Sequence, residues 1–331
     1  MRLSPFGLLA IAAGLAGTVQ AQEISFRWPV ACEIGRTCFV QHYVDRDPSP
    51  AARDYRCGTL TYDGHDGTDI RIPTLAAQKA GVDVVAAADG TVLRIRDGVD
   101  DVSVAERGRQ NVENTECGNG AVVDHGNGWE AQYCHMAKGS LAMKPGDVVK
   151  AGDRIGRIGL SGMTEFPHLH FTLRKDGKTV DPFAPGASEQ SCGGSGASLW
   201  EASLQRPLAY QAGSVLNKGF ASGPVTMEAI ESGAAEQAIP TTRSPALVAY
   251  VRAIGLKGGD IQTLTLFDPD GKPVAQNKAP PLDRDKAQWM AFAGIRQPEG
   301  GFRSGLYRAI YRVEREGKPA IEQAFGISLR P

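Results

Sequence analysis

The sequence predicts an all-β protein built from two successive β-rich regions. The chain of 331 residues contains 40 glycines and 20 prolines, which favours many turns between short elements. Between those turns lie short runs of β-branched residues, which are typical of strands. Apolar residues make up 42% and charged residues 22%, as in ordinary soluble globular proteins. The length accommodates about two domains of ~150 residues each.

The N-terminus is typical of a secretory signal. Arg2 is followed by an apolar run at 5–17 and by small residues that end at Ala21. The run is shorter than the ~20 apolar residues that a membrane-spanning helix needs, so we expect cleavage before Gln22 rather than a retained anchor. No later stretch is apolar enough to span. We therefore expect a signal peptide at 1–21 and an exported protein, periplasmic or extracellular, with no membrane span after cleavage.

The charge balance gives no support to a nucleic-acid or anionic-membrane partner. The formal net charge is -1 at pH 7. A surface that binds nucleic acid or anionic lipid needs an excess of positive charge. We therefore expect neither kind of partner.

Six cysteines, an even number, are expected to pair in an oxidising compartment after export. None lies in a CxxC pair, so a structural zinc site of thiolates is not expected. Although the sequence alone leaves the connectivity open, one pair can close a tight loop and another flanks a predicted hairpin turn at 125–128. The remaining two cysteines then form the third pair. The expected disulfides are Cys32–Cys38, Cys117–Cys134 and Cys57–Cys192.

Residues 22–57 are predicted as a polar, irregular lead-in to a β domain over 58–185. In that domain short β-branched runs alternate with Gly/Asp turns, as in VDVVAAADGTVLRIR, GAVVDHGNGWEAQYC and GDVVKAGDRIGRIGL. Asp-Gly at 89–90 and Gly-Asn-Gly at 126–128 are hairpin signals. The charged, aperiodic stretch 96–116 is interpreted as a surface insertion between two strands.

A small-residue linker is predicted at 186–199, before a second β-rich region at 200–331. This region contains no histidine and no cluster of catalytic residue types. Strand-like segments separated by turns favour a small β-sandwich, which we interpret as a structural or ligand-binding accessory domain. Its strand-bearing segments are ALVAYVRAIGL, DIQTLTLFDPDGKPVA, AQWMAFAGI, GLYRAIYRVEREGKPA and IEQAFGISL.

Histidines form two even-spaced patterns in the middle domain. His65 and Asp69 lie in GHDGTDIRIP, while His168 and His170 lie in FPHLHFTL. In extended strands an even offset puts both side chains on one face, and Gly67 would leave room for an ion beside the first pair. Each pair alone could be ordinary packing. Two such pairs about a hundred residues apart in one β domain favour a metal.

Zinc binds imidazole nitrogen and carboxylate oxygen, and a catalytic zinc keeps one position for water. His65, Asp69 and one of the two HxH histidines can supply the three protein ligands. The other HxH histidine and His135, in QYCHM, then remain beside the metal. Hydrolysis needs such groups as a base for the water and as a donor to the developing oxyanion.

Together these motifs resemble those of the M23, or LytM/lysostaphin-type, zinc metallopeptidases. The resemblance rests on His65-x3-Asp69, on Tyr133-x-His135 and on PHLHF at 167–171. The surrounding segments AAADGTV, GNGAVVDHGNG, KPGDVVKAGDRIG and GLSG also match the family's strand-and-turn pattern. The resemblance covers roughly 58–185. It implies an antiparallel barrel-like metallopeptidase domain with an open groove, which the small β-sandwich domain follows.

Carried over by position, the resemblance implies that one zinc ion per chain is bound by His65, Asp69 and His170. It implies that His135 and His168 activate the water and stabilise the tetrahedral intermediate, without assigning which one removes the proton. The implied substrate is the peptide part of peptidoglycan. The insertion at 96–116 departs from the family pattern and can line or cap the groove.

An exported zinc endopeptidase is therefore the leading hypothesis. The alternative is a catalytically inactive LytM-type module that binds peptidoglycan and recruits or activates a wall amidase. The presence of all five site residues favours catalysis. We interpret the remaining polar residues as structural: the histidines His42 and His125 at the surface, Tyr133 in packing, Ser161 without a nucleophile's partners, and Asp147 and Asp153 in turns. His42 would matter only if the lead-in folded over the metal and shielded a latent site.

Overall fold

The computed structural model describes residues 24–186, 192 and 197–331. The predicted signal peptide, 1–21, lies outside the described residues, as does most of the predicted linker at 186–199. Strands dominate the regular structure of the described part, as predicted. No helix in these ranges is long and apolar enough to cross a membrane.

The first part of the chain forms one large antiparallel sheet and one small sheet. Its elements are β1 (Phe39–His42), β2 (Thr68–Arg71), α1 (Leu75–Ala80), β3 (Asp83–Val85), β4 (Gly90–Arg96), α2 (Val104–Arg107), β5 (Asn119–Gly126), β6 (Trp129–Met136), β7 (Val148–Val149), β8 (Arg154–Arg157), β9 (His168–Lys175) and β10 (Lys178–Val180). The large sheet has the order β1-β2-β9-β6-β5-β4-β7, with β10 paired to β9, while β3 pairs with β8. Within the described residues β1 and β7 do not pair with each other. The sheet is therefore antiparallel and open, rather than a fully closed barrel.

Residues before β2 pack into the same core as the large sheet. Phe26, Trp28 and Tyr43 are buried there together with apolar residues of β5, β6 and β9. The expectation of an irregular segment is wrong for 39–42, because β1 pairs with β2. The apolar residues of this segment are spaced irregularly, so their pattern shows no strand period.

All three expected disulfides are present. Cys117–Cys134 joins the residues just before β5 to the end of β6, and Cys57–Cys192 closes a sequence separation of 135 residues. Such cross-links stabilise a fold chiefly by limiting the freedom of the unfolded chain.

The predicted insertion at 96–116 does connect two strands, β4 and β5, and it carries α2. The Asp101 carboxylate accepts hydrogen bonds from the backbone N–H groups of Leu160 and Lys138, which ties the insertion to the sheet. The following hairpin turns at Asn127 and Gly128, whose φ values of 51° and 78° are those of the tight turn that the sequence predicts. The expected Gly-Asp turns also form. In them, the carboxylates of Asp147 and Asp153 each accept a hydrogen bond from the backbone N–H of the residue three positions earlier.

The second part of the chain is a sandwich of two antiparallel sheets, as predicted. Its elements are β11 (Ser214–Ala221), α3 (Met227–Ser232), β12 (Ala246–Leu256), β13 (Ile261–Phe267), β14 (Pro273–Lys278), β15 (Lys286–Arg296), β16 (Gly305–Arg315) and β17 (Lys318–Leu329). One sheet has the order β11-β12-β15 and the other β14-β13-β16-β17, with a shared apolar core. The sequence does not predict β11, because SVLNKGFA lacks a regular alternation of apolar and polar residues.

Buried polar contacts join the sandwich to the first sheet. The fully buried Arg252 of β12 donates hydrogen bonds to Asn217, to Glu231 and to the carbonyl oxygen of Pro73. Buried charges are stable only when paired or hydrogen-bonded, so these contacts must form as a set. They fix the sandwich against the end of β2.

Candidate metal centre

Four neighbouring strands place polar side chains in one row across the large sheet. His42 in β1 lies opposite Asp69 in β2, Asp69 opposite His170 in β9, and His170 opposite Cys134 in β6. Directly opposite residues of antiparallel strands project from the same face. His168 shares this face, because it lies two residues before His170 in β9.

His65 completes a compact set of three donor atoms. It lies in the loop before β2, and its Nε2 is 3.1 Å from Asp69 Oδ1 and 3.2 Å from His170 Nδ1. The remaining edge, from His170 Nδ1 to Asp69 Oδ1, is 2.9 Å. Tetrahedral ligands at ~2.0–2.1 Å from a zinc ion are about 3.3 Å apart. The triangle therefore has nearly the size of one face of a zinc coordination tetrahedron.

The hydrogen bonds on the far sides of these rings fix their tautomers. His65 Nδ1 lies 2.7 Å from the carbonyl oxygen of Tyr43, which can only accept, so Nδ1 carries the proton. His170 Nε2 lies 3.1 Å from the Asp66 carboxylate and donates to it in the same way. As a result, His65 Nε2 and His170 Nδ1 point their lone pairs at the Asp69 carboxylate. Such outer hydrogen bonds are the usual support of metal-binding histidines.

Three acceptor atoms this close together attract a cation, either a metal ion or a proton. The pKa shifts of these groups show the attraction for a proton. Burial opposes the ionisation of Asp69, but His168 and His65 nearby hold its pKa well below the ordinary value. Burial lowers the pKa of His170, but Asp66 and Asp69 outweigh it and raise this pKa to about 9. The donor set of two imidazoles and one carboxylate fits zinc.

His135 stands beside this triangle with its lone pair available. It follows β6 residue Cys134 in a left-handed backbone conformation, with φ of 61°, a strained region that is common at functional sites. Its Nδ1 donates to the carbonyl oxygen of Ser161, so Nε2 is unprotonated. Nε2 has no hydrogen-bond partner among the described residues. Burial, together with the charges of His168 and His170, lowers the pKa of His135 well below the ordinary value.

His168 lies on the other side of the carboxylate. Its Nδ1 is 3.0 Å from the carbonyl oxygen of Phe166, and its Nε2 is 3.2 Å from Asp69 Oδ1. A second possible ligand set joins His168 to His135 and His170, with donor atoms within 4.8 Å of one another. The triangle of His65, Asp69 and His170 is the tighter of the two sets.

The structure thus brings all five predicted site residues together: His65, Asp69, His135, His168 and His170. It leaves His125 outside the cluster, half-buried at the end of β5. Tyr133 is fully buried and its hydroxyl accepts the backbone N–H of Ala87, in keeping with packing. Ser161 is also buried, and its hydroxyl donates to the Met136 carbonyl oxygen.

Two features of the site differ from the expectation. Gly67 leaves room for the ring of His170 rather than for an ion, since a Cβ there would lie 2.6 Å from Nε2 of that ring. The interpretation of His42 as a surface residue is wrong, because its side chain is 17% exposed and its Nδ1 is 2.9 Å from Asp69 Oδ2. The contact arises because β1 pairs with β2. The sequence around His42 does not predict that pairing.

Asp66 is a further residue that the motif does not indicate. One oxygen accepts from His170 and the other accepts from Arg174 at 3.1 Å. Arg174 in turn donates to Gln132 at 2.7 Å. In the sequence, only its position next to His65 points to Asp66. No motif that we identified includes an acidic residue at that position.

An open pocket of ≈ 220 Å³ borders the site at His135 and His170. Glu116, at the end of the insertion, borders it, so the insertion lines the groove as the sequence suggested. The Cys117–Cys134 disulfide forms another part of the wall. The lining residues are Tyr62, Asp66, Glu116, Cys117, Gln132, Cys134, His135, Met163, His170, Thr172 and Arg174.

This region of the chain is similar to known proteins. The model of the family described as Peptidase family M23 matches residues 63–182. The peptidoglycan DD-endopeptidase ShyA of Vibrio cholerae is 31% identical over 117 residues, which are 35% of this chain and 22% of that protein. The cell division protein DipM of Caulobacter vibrioides is 32% identical over 124 residues, 36% of this chain and 17% of that protein. The match therefore spans less than a quarter of the length of these relatives.

Among solved structures, similarity extends to the catalytic domain of the prophage-encoded M23 protein EnpA from Enterococcus faecalis. It is 27% identical, and the alignment covers 39% of this chain and 84% of that domain, with a TM-score of 0.29. The alignment with the EnpA domain therefore includes less than half of this chain.

Proposed function

Residues 63–182 form a domain of peptidase family M23, and from this premise we propose that the protein is an exported, zinc-dependent endopeptidase that hydrolyses peptide bonds in peptidoglycan. Its site of action is the periplasm or the outside of the cell. One zinc ion per chain is bound by His65, Asp69 and His170. The substrate is a peptide of the cell wall, which lies in the pocket that borders this site.

The convergence of two imidazole lone pairs and one carboxylate oxygen carries the proposal. These atoms are 2.9–3.2 Å apart, and their outer hydrogen bonds place the N–H of each neutral ring on the side away from the other donor atoms. Export is supported by three disulfides, which persist in oxidising compartments. A peptidoglycan substrate is supported by the name of the relative from Vibrio cholerae.

A zinc ion at this position supplies Lewis acidity, which polarises a carbonyl group and lowers the pKa of water. His135 then acts as the base, because its Nε2 has a lone pair facing the pocket and no other partner among the described residues. Ser161 holds the opposite nitrogen protonated and keeps the ring in this orientation. Once protonated, His135 can return the proton to the leaving amine.

His168 is proposed to stabilise the negative charge that develops on the carbonyl oxygen. Its Nε2 lies 3.2 Å from Asp69 Oδ1, beside the proposed position of the zinc ion. A protonated Nε2 is a hydrogen-bond donor of the kind that oxyanions need. The carbonyl oxygen of Phe166 holds the ring in place from the other side.

The test is mass spectrometry of purified peptidoglycan digested by the protein, with and without a chelator, alongside a measurement of bound zinc. We expect cross-linked muropeptides to be cleaved only without the chelator. His170→Ala should abolish zinc binding, whereas His135→Ala and His168→Ala should retain zinc and lose most hydrolysis, about 10²–10⁴-fold. A wild-type protein without stoichiometric zinc would contradict the proposal.

The alternative, a binding module that activates a wall amidase, predicts a different result in the same assay. Such a protein would bind peptidoglycan and release no cleaved peptide on its own, with zinc or without. Full retention of hydrolysis in His135→Ala and His168→Ala would instead show that a different group acts as the base.

A further inference from the structure

His42 makes a contact that the peptidase family match does not include. It lies in β1, outside residues 63–182, and directly opposite Asp69 in the strand pairing. Its Nδ1 is 2.9 Å from Asp69 Oδ2, and its side chain is 17% exposed. A carboxylate can only accept at this distance, so His42 Nδ1 carries the hydrogen.

The two oxygens of Asp69 therefore face different partners. Oδ1 points to the nitrogens of His65, His168 and His170, while Oδ2 points to His42. Carboxylates bind metals through one oxygen or through both. A hydrogen bond that occupies Oδ2 orients the group to present Oδ1 alone.

The strand that carries His42 is held from both sides. On one side β1 pairs with β2, and a register shift between Val40 and His42 sets the latter opposite Asp69. On the other side the sandwich supports β1, because Phe39 packs against Leu216 and Ile254.

A neighbouring residue adds polar support to the same strand. Gln41 donates to the carbonyl oxygen of Ala287 in β15 at 3.3 Å and accepts from Arg71 in β2 at 2.9 Å. A free edge strand of four residues would have few contacts and open readily. Contacts to the sandwich thus limit the movement of His42.

We propose that His42 is a positioning residue of the metal site, whose Nδ1–H holds Asp69 Oδ2 and fixes this carboxylate as a ligand through Oδ1 alone. The inference rests on the proposed function in one respect, the role of Asp69 as a metal ligand. His42 itself takes no part in proton transfer.

The experiment compares zinc affinity in the full-length mature wild-type protein and four variants of it, by competition with a chelator of known affinity. His42→Asn places an amide N–H where Nδ1 lies, whereas His42→Gln places it about one bond further out. We expect His42→Gln and His42→Ala to weaken zinc binding about 10- to 100-fold, the usual effect of losing such a partner, and His42→Asn to stay within about threefold of wild type. The control is His125→Ala, since His125 also donates through Nδ1, to Asp89 O at 2.8 Å, but lies outside the site.

Cobalt substitution gives a second readout that a purely structural role would not change. The visible absorption of bound Co²⁺ reports coordination number and geometry, so a change from one to two bound Asp69 oxygens should alter it in His42→Gln and not in His42→Asn. Thermal unfolding in the presence of chelator checks that the variants fold alike.

The outcomes separate this inference from the proposed function. Zinc affinity of His42→Ala and His42→Gln within about twofold of wild type would overturn the inference, whether or not the protein cleaves peptidoglycan. Equal weakening in His42→Asn and His42→Gln would overturn it as well. A wild-type protein that binds zinc but cleaves no muropeptide would overturn the proposed function alone.

Discussion

Replacing Gly67 with alanine adds a single methyl group, which should displace a ligand of the metal site. A Cβ at this position would lie 2.6 Å from Nε2 and 2.7 Å from Cε1 of His170, whereas ordinary contact begins at 3.4 Å. The ring must therefore move by about 0.8 Å, several times the ~0.2 Å over which metal–ligand distances vary. On the other side the new methyl group meets the carbonyl oxygen of Phe171 at 3.0 Å, so the backbone cannot easily absorb the shift.

We expect Gly67→Ala to weaken zinc binding by at least about 10- to 100-fold, because the shift displaces a ligand and also its hydrogen bond to Asp66. The measurement is zinc competition with a chelator, together with thermal unfolding of the metal-free protein. Gly223→Ala is the matched control, since a Cβ there meets nothing within 4 Å and neither glycine has a positive φ. Zinc affinity of Gly67→Ala within about threefold of wild type would refute the reasoning.

Two further predictions concern stability and the wall of the groove. Burial raises the pKa of Asp181 to about 6, so the native state holds this proton more tightly than the unfolded state, and stability is lost as the pH rises from about 4 to 6. Asp181→Asn should therefore increase the free energy of unfolding at pH 7 by about 2 kcal/mol, as measured by urea denaturation. The fall of this free energy between pH 4 and 6 should also become smaller. A pH dependence equal to that of wild type would contradict this prediction. Removing the Cys117–Cys134 disulfide by double substitution to serine should cost about 3 kcal/mol of stability in the same urea assay. Cys134 is bonded directly to His135, whereas it faces the ligand His170 across the strand pairing with no covalent bond between them. Hydrolysis should therefore fall more than zinc affinity does, and a parallel loss of both would contradict the assignment.

The local sequence predicts the residues of the ligand triangle better than it predicts the residues that surround the site. Even spacing puts His168 and His170 on one face of β9, which a local pattern can represent, and the pairing of β2 with β9 then brings Asp69 beside them. His65 reaches the site from a loop rather than from an extended strand, so the expectation is right about convergence and wrong about the local geometry.

Contacts between distant strands account for what the sequence does not predict. The register of β1 against β2 places His42 beside Asp69, and no periodicity within 22–57 indicates that pairing. Tertiary contacts also determine β11, whose sequence lacks alternation, and its packing against β1. Cysteine spacing, by contrast, suggests two of the three disulfides, because one pair is local and one flanks a hairpin, and the third follows as the remaining pair.

The support of β1 by the sandwich has a consequence for modularity. A protein cut to the family-matched segment, 63–182, would keep every residue of the ligand triangle and lose the strand bordering it. The exposed edge of β2 would then be free to pair with another chain. For transfer into another protein, the segment should therefore include β1 and the sandwich strands that contact it.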